Sequence, residues 1–120
     1  TLFRSGVYKS VNNGGTWSPV NNNLTNCADA VISALEGDSG HLFAGSDHNG
    51  GIHMSTDNGL NWNTVNAGLV SNSNVNALGE AGTNVLACAY GAGLFITGNT
   101  GNYWTFDSAG LLYTNLNCFQ

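Results

Sequence analysis

The stretch Gly51-Ile52-His53-Met54-Ser55-Thr56-Asp57-Asn58-Gly59-Leu60-Asn61-Trp62 occurs in this chain in three similar copies. One further copy runs from Gly6 to Trp17, and the other runs from Gly93 to Trp104. The tryptophans that end the copies are 45 and then 42 residues apart. A period in this range is typical of repeat arrays, in which each copy is one supersecondary unit. The repeat therefore decides the fold class before any local pattern is considered.

Short apolar runs between the copies alternate with clusters of Gly, Asn and Ser, which is typical of successive β-hairpins. No window places apolar residues at helical spacing. The pattern predicts two complete four-stranded units, 31–65 and 74–106. Their predicted strands are 31–35, 41–45, 51–55 and 61–65 in the first, and 74–78, 84–89, 93–97 and 103–106 in the second. Four antiparallel strands in a repeat of this length are typical of one β-propeller blade.

The two ends of the chain carry the remaining predicted strands. Residues 1–3 align with 41–43, so 1–20 is predicted to hold the second, third and fourth strands of a first blade. Residues 115–119 align with 74–78 and are predicted to form the first strand of a further blade. The predicted fold is thus an all-β propeller segment with about three four-stranded antiparallel blades over all 120 residues.

Three blades are too few for a closed propeller, which takes about four to eight. Two alternatives follow: the chain is part of a longer propeller, or copies of it join head to tail through their terminal strands. Head-to-tail contacts close into a ring when the rotation allows, and two copies would supply six blades. We therefore expect as partner either a second copy or the remainder of a longer propeller.

The copies share the frame Ser/Thr-x-Asp/Asn-x-Gly-x-x-Trp. The Asp or Asn is predicted to accept hydrogen bonds from backbone N–H groups two or three residues further on. The Gly is predicted to supply a positive φ, and the Trp to bury its ring against the turn and a neighbouring sheet. Asn replaces Asp in two copies, so we interpret the frame as structural. Its residues are Ser10, Asn12, Gly14, Trp17, Ser55, Asp57, Gly59, Trp62, Thr97, Asn99, Gly101 and Trp104.

This frame resembles the Asp-box, also called the bacterial neuraminidase repeat. The wider sequence, with Gly-Val-Tyr-Lys-Ser before the box, a Leu-rich linker after it and then a Val-x-Ala-Leu strand, is similar to secreted bacterial Asp-box propellers. The resemblance implies a β-propeller at a secreted or cell-surface location. The same box occurs in sialidases, xyloglucanase-type glycosidases and sortilin-type receptors, so the resemblance implies a fold and does not select a reaction.

Charge excludes some classes of partner. The net charge is −5, and Arg4 and Lys9 are the only Lys or Arg residues in the sequence. Binding to nucleic acid needs several cations on one face, so no nucleic-acid partner is predicted. No apolar run is long enough to predict a membrane span. Charged residues make up only 8% of the chain, a composition that suits secreted or cell-surface β-proteins.

No set of residues in the sequence points to catalysis, a metal or a cofactor. The sialidase family uses three arginines to hold its substrate, whereas this chain has Arg4 and no other arginine. Glycoside hydrolysis needs two carboxylates about 5–10 Å apart, but most acidic residues fall in predicted turns. Cys27, Cys88 and Cys118 match no zinc spacing, and the latter two are expected to be buried in strands. The alternative is a fragment of a sialidase-like or xyloglucanase-like glycoside hydrolase whose catalytic residues lie outside this chain.

The connection between the second and third strands of each unit differs most between copies. It is 4–5 in the first unit, 46–50 in the second and 90–92 in the third. Repeat proteins place binding specificity in such variable loops on a constant frame. The candidate ligand-binding residues are therefore Arg4, Asp47, His48 and Tyr90, whose side chains suit a glycan or a protein ligand. The sequence favours a non-enzymatic module that binds such a ligand or assembles with itself.

Overall fold

The computed structural model describes residues 6–24, 31–37, 40–71, 73–98 and 101–111. Within these ranges the chain forms β-strands and no helix. The strands, in chain order, are β1 (Tyr8–Lys9), β2 (Ser18–Pro19), β3 (Ile32–Gly37), β4 (Leu42–Ser46), β5 (Gly51–Ser55), β6 (Asn63–Thr64), β7 (Val75–Ala81), β8 (Asn84–Ala89), β9 (Gly93–Gly98) and β10 (Thr105–Phe106). The described part therefore holds no helix that could cross a membrane.

The strands form three antiparallel sheets, and each strand pairs with its neighbour in the chain. The first sheet contains β1 and β2, the second runs β3-β4-β5-β6, and the third runs β7-β8-β9-β10. The prediction of an all-β chain with four-stranded antiparallel units is thus confirmed for the second and third sheets. The predicted strands 1–3 and 115–119 lie outside the described residues.

The second and third sheets are copies of each other even in their irregularities. Ile32 pairs with Ser46 and Ala34 with Gly45, so the register shifts at the residue between Ile32 and Ala34. The same shift lies between Val75 and Ala77 in the third sheet. A β-bulge at one fixed position bends and twists both sheets in the same way.

The outermost strand of each complete sheet is shorter than the sequence predicted. β6 covers two residues instead of 61–65, because the first residues of that span hydrogen-bond elsewhere. The backbone N–H of Asn61 donates to Asp57 Oδ1 at 2.8 Å, and the N–H of Trp62 donates to the carbonyl of Asn22 at 3.0 Å. Backbone donors engaged in this way cannot extend the ladder to β5.

The hydrophobic core lies between the sheets. The inner strands β3 and β4 pack on β7, and their contact is close enough that a Cβ on Gly45 would lie 2.7 Å from Val75 Cγ1. The larger core cluster joins the second and third sheets and includes the fully buried Phe43, Ile52 and Trp104. A smaller cluster of Val7, Ala44 and Trp62 joins the first sheet to the second. Burial of this apolar area is the main stabilising contribution.

Cys88 is the one cysteine that lies among the described residues. Cys88 is buried in β8, as expected. Cys27 and Cys118 lie outside the described residues.

Candidate functional site

The first box is a turn held by its own polar side chains. Ser10 Oγ donates to Asn12 Oδ1 at 3.0 Å and accepts from the backbone N–H of Gly14 at 2.8 Å. Asn12 Oδ1 also accepts from the N–H of Thr16 at 2.8 Å. The φ angles are 55° at Asn13 and 85° at Gly14, a left-handed pair that Asn and Gly adopt at low cost.

The second box repeats these bonds. Ser55 Oγ donates to Asp57 Oδ1 at 2.8 Å and accepts from the N–H of Gly59 at 2.9 Å. Asp57 accepts from the backbone and the side chain of Asn61, each at 2.8 Å. The acceptor therefore reaches the N–H four residues further on, whereas the sequence predicted two or three.

The charged carboxylate of Asp57 stabilises its own turn. Hydrogen bonds from the side chain and backbone of Asn61, followed by that from Ser55, hold the pKa of the Asp57 carboxyl below its usual value. Both carboxylate oxygens are engaged in these bonds, which leaves the group poorly placed to bind a ligand or act as a general acid or base. Asn12 accepts the corresponding backbone bond from Thr16 without charge, and its Nδ2 donates to Thr16 Oγ1 at 3.0 Å where Asp57 accepts from the Asn61 side chain.

The third box is described in part. Thr97, Gly101 and Trp104 are buried, and Gly101 has a φ of 66°. Asn99 lies outside the described residues.

The tryptophans of the second and third boxes fasten each sheet to the one before it. Trp62 Nε1 donates to the carbonyl of Val20 at 2.7 Å, and Trp104 Nε1 donates to the carbonyl of Val65 at 2.8 Å. Val20 and Val65 each follow directly after the outermost strand of the preceding sheet. Both rings are fully buried, whereas Trp17 in the first box is 62% exposed. The prediction of a buried ring therefore fails for Trp17 in the described part of the chain.

The variable loop of the second sheet joins β4 to β5 and places two candidate residues together. His48 Nδ1 lies 2.7 Å from Asp47 Oδ1, and this hydrogen bond is the main reason that the pKa of the Asp47 carboxyl lies below its usual value. Asp47 Oδ1 also accepts from the backbone N–H of Val31 at 2.8 Å. His48 and Asn49 have φ angles of 51° and 69°, which turn the loop sharply and present the His48 side chain to solvent.

Tyr90 occupies the position in the third sheet that Asp47 occupies in the second. The N–H of Asp47 donates to the carbonyl of Val31, and the N–H of Tyr90 donates to the carbonyl of Asn74, at 3.1 and 2.8 Å. The Tyr90 side chain is 52% exposed. The two loops thus lie at the same edge of neighbouring sheets. Arg4 lies outside the described residues.

Asn74 links these two loops and was not predicted from the sequence as a site residue. Its carbonyl accepts a hydrogen bond from the backbone N–H of Tyr90, and its side-chain Oδ1 accepts from the N–H of Asn49 at 2.8 Å. The aligned residue of the preceding sheet is Val31, which has no such side chain. A polar residue where the aligned copy has an apolar one was the signal available in the sequence.

Two cavities lie near these elements. A cavity of about 340 Å³ between the first and second sheets is lined by residues that include Leu35, Leu42 and Gly59. Gly59 corresponds to Gly101, and a Cβ on Gly101 would lie 2.9 Å from the Phe43 ring. Between the second and third sheets, the Phe43 ring fills the space that corresponds to this cavity. We therefore assign no ligand to the cavity.

The second cavity is smaller and polar. It measures about 130 Å³ and lies beside the β4–β5 loop, with Asn49, Asn66, Ser71 and Ser73 among its lining residues. This volume holds roughly four water molecules or one small polar group of a larger ligand. The described residues include no group of three or more His, Cys, Asp or Glu side chains placed to hold a metal ion.

Comparisons with known proteins add no further constraint, since no protein-family model matches the chain and no curated protein is significantly similar to it.

Proposed function

We propose that this chain is a segment of a secreted or cell-surface Asp-box β-propeller that binds a glycan without catalysing a reaction on it. The proposed ligand-contacting surface, called the loop edge below, consists of residues 46–50, 90–92 and Asn74. One observation carries the proposal: the loops that vary most between otherwise matching units lie at one edge and are joined there by Asn74.

The side chains at the loop edge suit a sugar ligand. The exposed Tyr90 ring offers an apolar face on which the C–H groups of a pyranose can stack. The hydrogen bond from His48 lowers the pKa of the Asp47 carboxyl and so favours its ionised form, which can accept hydrogen bonds from sugar hydroxyls. The small polar cavity beside Asn49 can receive one hydroxyl or hydroxymethyl group of the same ligand.

The opposite edge of the sheets suits a structural role. It carries the box turns, because the connection between the third and fourth strands lies at the other end of the antiparallel pair. The Asp and Asn oxygens there are engaged in bonds within their own turns. This contrast between the two edges favours ligand binding at the loop edge.

A glycan array probed with the folded chain tests the proposal. We expect at least one class of glycan to bind, and calorimetry should show that Tyr90→Ala and Asp47→Ala each weaken binding by about tenfold. Tyr103→Ala is the matched control, because this tyrosine is also exposed but lies at the opposite edge, and it should leave the affinity unchanged.

Three results would contradict the proposal. They are the absence of glycan binding by the folded chain, binding that survives both loop-edge substitutions, and turnover of a panel of fluorogenic glycosides. If the chain binds a protein through the same residues, the glycan assignment is wrong and only the loop edge stands.

A further inference from the structure

Each sheet junction is built from the same two hydrogen bonds. At the first junction the indole of Trp62 donates to the carbonyl of Val20, and its backbone N–H donates to the carbonyl of Asn22. At the second junction Trp104 makes the same pair of bonds to Val65 and Ala67, with backbone distance 2.8 Å. Aligned residues therefore make the same contact at both junctions, so we take this contact as the way in which successive sheets of the repeat pack.

Trp17 of the first sheet aligns with the donors Trp62 and Trp104, but no acceptor for it lies in the described part of the chain. Trp17 is 62% exposed, and no hydrogen bond to its indole forms among the described residues. Tyr8 on the neighbouring strand is 48% exposed, whereas the aligned His53 and Phe95 are buried in their junctions. This surface, Tyr8 and Trp17, is the front face of the first sheet.

The third sheet carries the acceptor half on its opposite side. The residues that follow β10 bond to β9 as those that follow β6 bond to β5. The N–H of Val65 donates to the carbonyl of Ile52 at 2.9 Å, and the N–H of Asp107 donates to the carbonyl of Leu94 at 2.8 Å. The N–H of Ile52 donates to Asn66 Oδ1 at 2.7 Å, and the N–H of Leu94 donates to Ser108 Oγ at 2.8 Å. The carbonyls of Asp107 and Ala109 therefore align with the acceptors Val65 and Ala67 of the second junction.

The side chains around these carbonyls are apolar, as they are at the second junction. Phe43, Ile52 and Met54 of the second sheet pack into the core of the second junction. The aligned residues of the third sheet are Leu86, Leu94 and Ile96, which are apolar and half-buried. This surface, together with the Asp107 and Ala109 carbonyls, is the back face of the third sheet.

We propose that the front face of the first sheet binds the back face of the third sheet of a second copy of this chain. Trp17 donates through Nε1 to the Asp107 carbonyl of the other copy and through its backbone N–H to the Ala109 carbonyl. The two faces differ, so the contact is head to tail and can be made again by the second copy. Two copies supply six sheets, a number at which propellers close. The proposal goes beyond ligand binding and does not depend on it.

Association of the purified chain, measured by analytical ultracentrifugation over a wide range of concentration, tests this contact. We expect wild-type chain to form a species of twice the chain mass, and Trp17→Ala to raise the dissociation constant by at least about thirtyfold, as for a central interface tryptophan. Leu60→Ala is the matched control, because Leu60 is equally exposed at 62% but belongs to neither face, and it should associate as the wild type does.

A mixing experiment tests the head-to-tail geometry. Ile96→Asp damages the back face, so it should be monomeric alone, as Trp17→Ala should be. An equimolar mixture pairs the intact front face of one variant with the intact back face of the other, and should form a dimer. A monomeric mixture would overturn the proposal, as would a monomeric wild type or undiminished association of Trp17→Ala.

A readout that does not depend on the folding of the Ile96 variant comes from the indole N–H signals in NMR spectra. The Trp17 signal is identified as the one missing from Trp17→Ala. It should shift on dilution of the wild-type chain, while the signals of the buried Trp62 and Trp104 stay fixed. A Trp17 signal that is independent of concentration would count against the contact.

Discussion

Gly68 lies where the linker after the second sheet touches the box of the third. Its φ is +90°, and a Cβ added there would lie 2.0 Å from the carbonyl oxygen of Trp104. A backbone oxygen cannot rotate away, so in a Gly68→Ala variant the linker and Trp104 must separate. The bond from the Trp104 N–H to the Ala67 carbonyl, now 2.8 Å, would break as they do.

The cost of Gly68→Ala can be worked from two contributions. A left-handed φ costs an L-residue about 1 to 2 kcal/mol relative to glycine. Loss of the hydrogen bond to Ala67 adds about 1 to 3 kcal/mol, because the N–H of the buried Trp104 is left without an acceptor. We therefore expect the free energy of unfolding to fall by about 2 to 5 kcal/mol.

Gly110 provides a matched control, because it occupies the aligned position after the third sheet. Its φ is +85°, and an added Cβ would meet nothing within 4 Å. Gly110→Ala should therefore cost only the backbone contribution of about 1 to 2 kcal/mol. Urea denaturation followed by tryptophan fluorescence, at dilution sufficient to keep the chain monomeric, measures both variants. Equal losses for the two substitutions would refute the close approach of Gly68 and Trp104.

Three further predictions follow from single contacts. Trp62→Phe keeps an aromatic ring but leaves the Val20 carbonyl without its donor, and should lower the free energy of unfolding by about 1 to 3 kcal/mol in the same urea assay. The Asp57 carboxyl has a lowered pKa in the folded state, so its contribution to the stability of the fold is present above the usual carboxyl pKa and is lost as pH falls through the lowered value. The thermal unfolding temperature of Asp57→Asn should therefore depend less on acid pH than that of the wild type. Asn74→Ala removes the acceptor of the Asn49 N–H, so hydrogen exchange at that amide should accelerate, whereas unchanged exchange would contradict the link between the loops.

The four-stranded units could be predicted from the sequence because each strand carries its own local signal. β5 and β8 begin and end where alternation and turn residues placed them. The short β6 could not be predicted, because the Trp62 N–H leaves the ladder for a carbonyl 40 residues earlier in the chain. Bonds between distant segments have no local signature.

The same limit applies to the candidate site. The hydrogen bond between Asp47 and His48 joins neighbours in the sequence, yet it needs left-handed backbone at His48, which sequence pattern does not indicate. Asn74 was missed because its role depends on the direction of its side chain toward the preceding sheet. The exposure of Trp17 was missed because burial against a neighbouring sheet was predicted for all three copies, whereas the described residues place the acceptor carbonyl of another sheet against Trp62 and Trp104 and none against Trp17.

A glycan that binds the loop edge should change the NMR signals of that surface. The most direct test is an NMR titration of isotope-labelled chain with a glycan selected on the array. We expect backbone shifts to concentrate in residues 46–50 and 90–92 and at Asn74, while the signals of the box turns at 10–17 and 55–62 stay unchanged. Shifts concentrated in the box turns, or no shifts at saturating glycan, would contradict it.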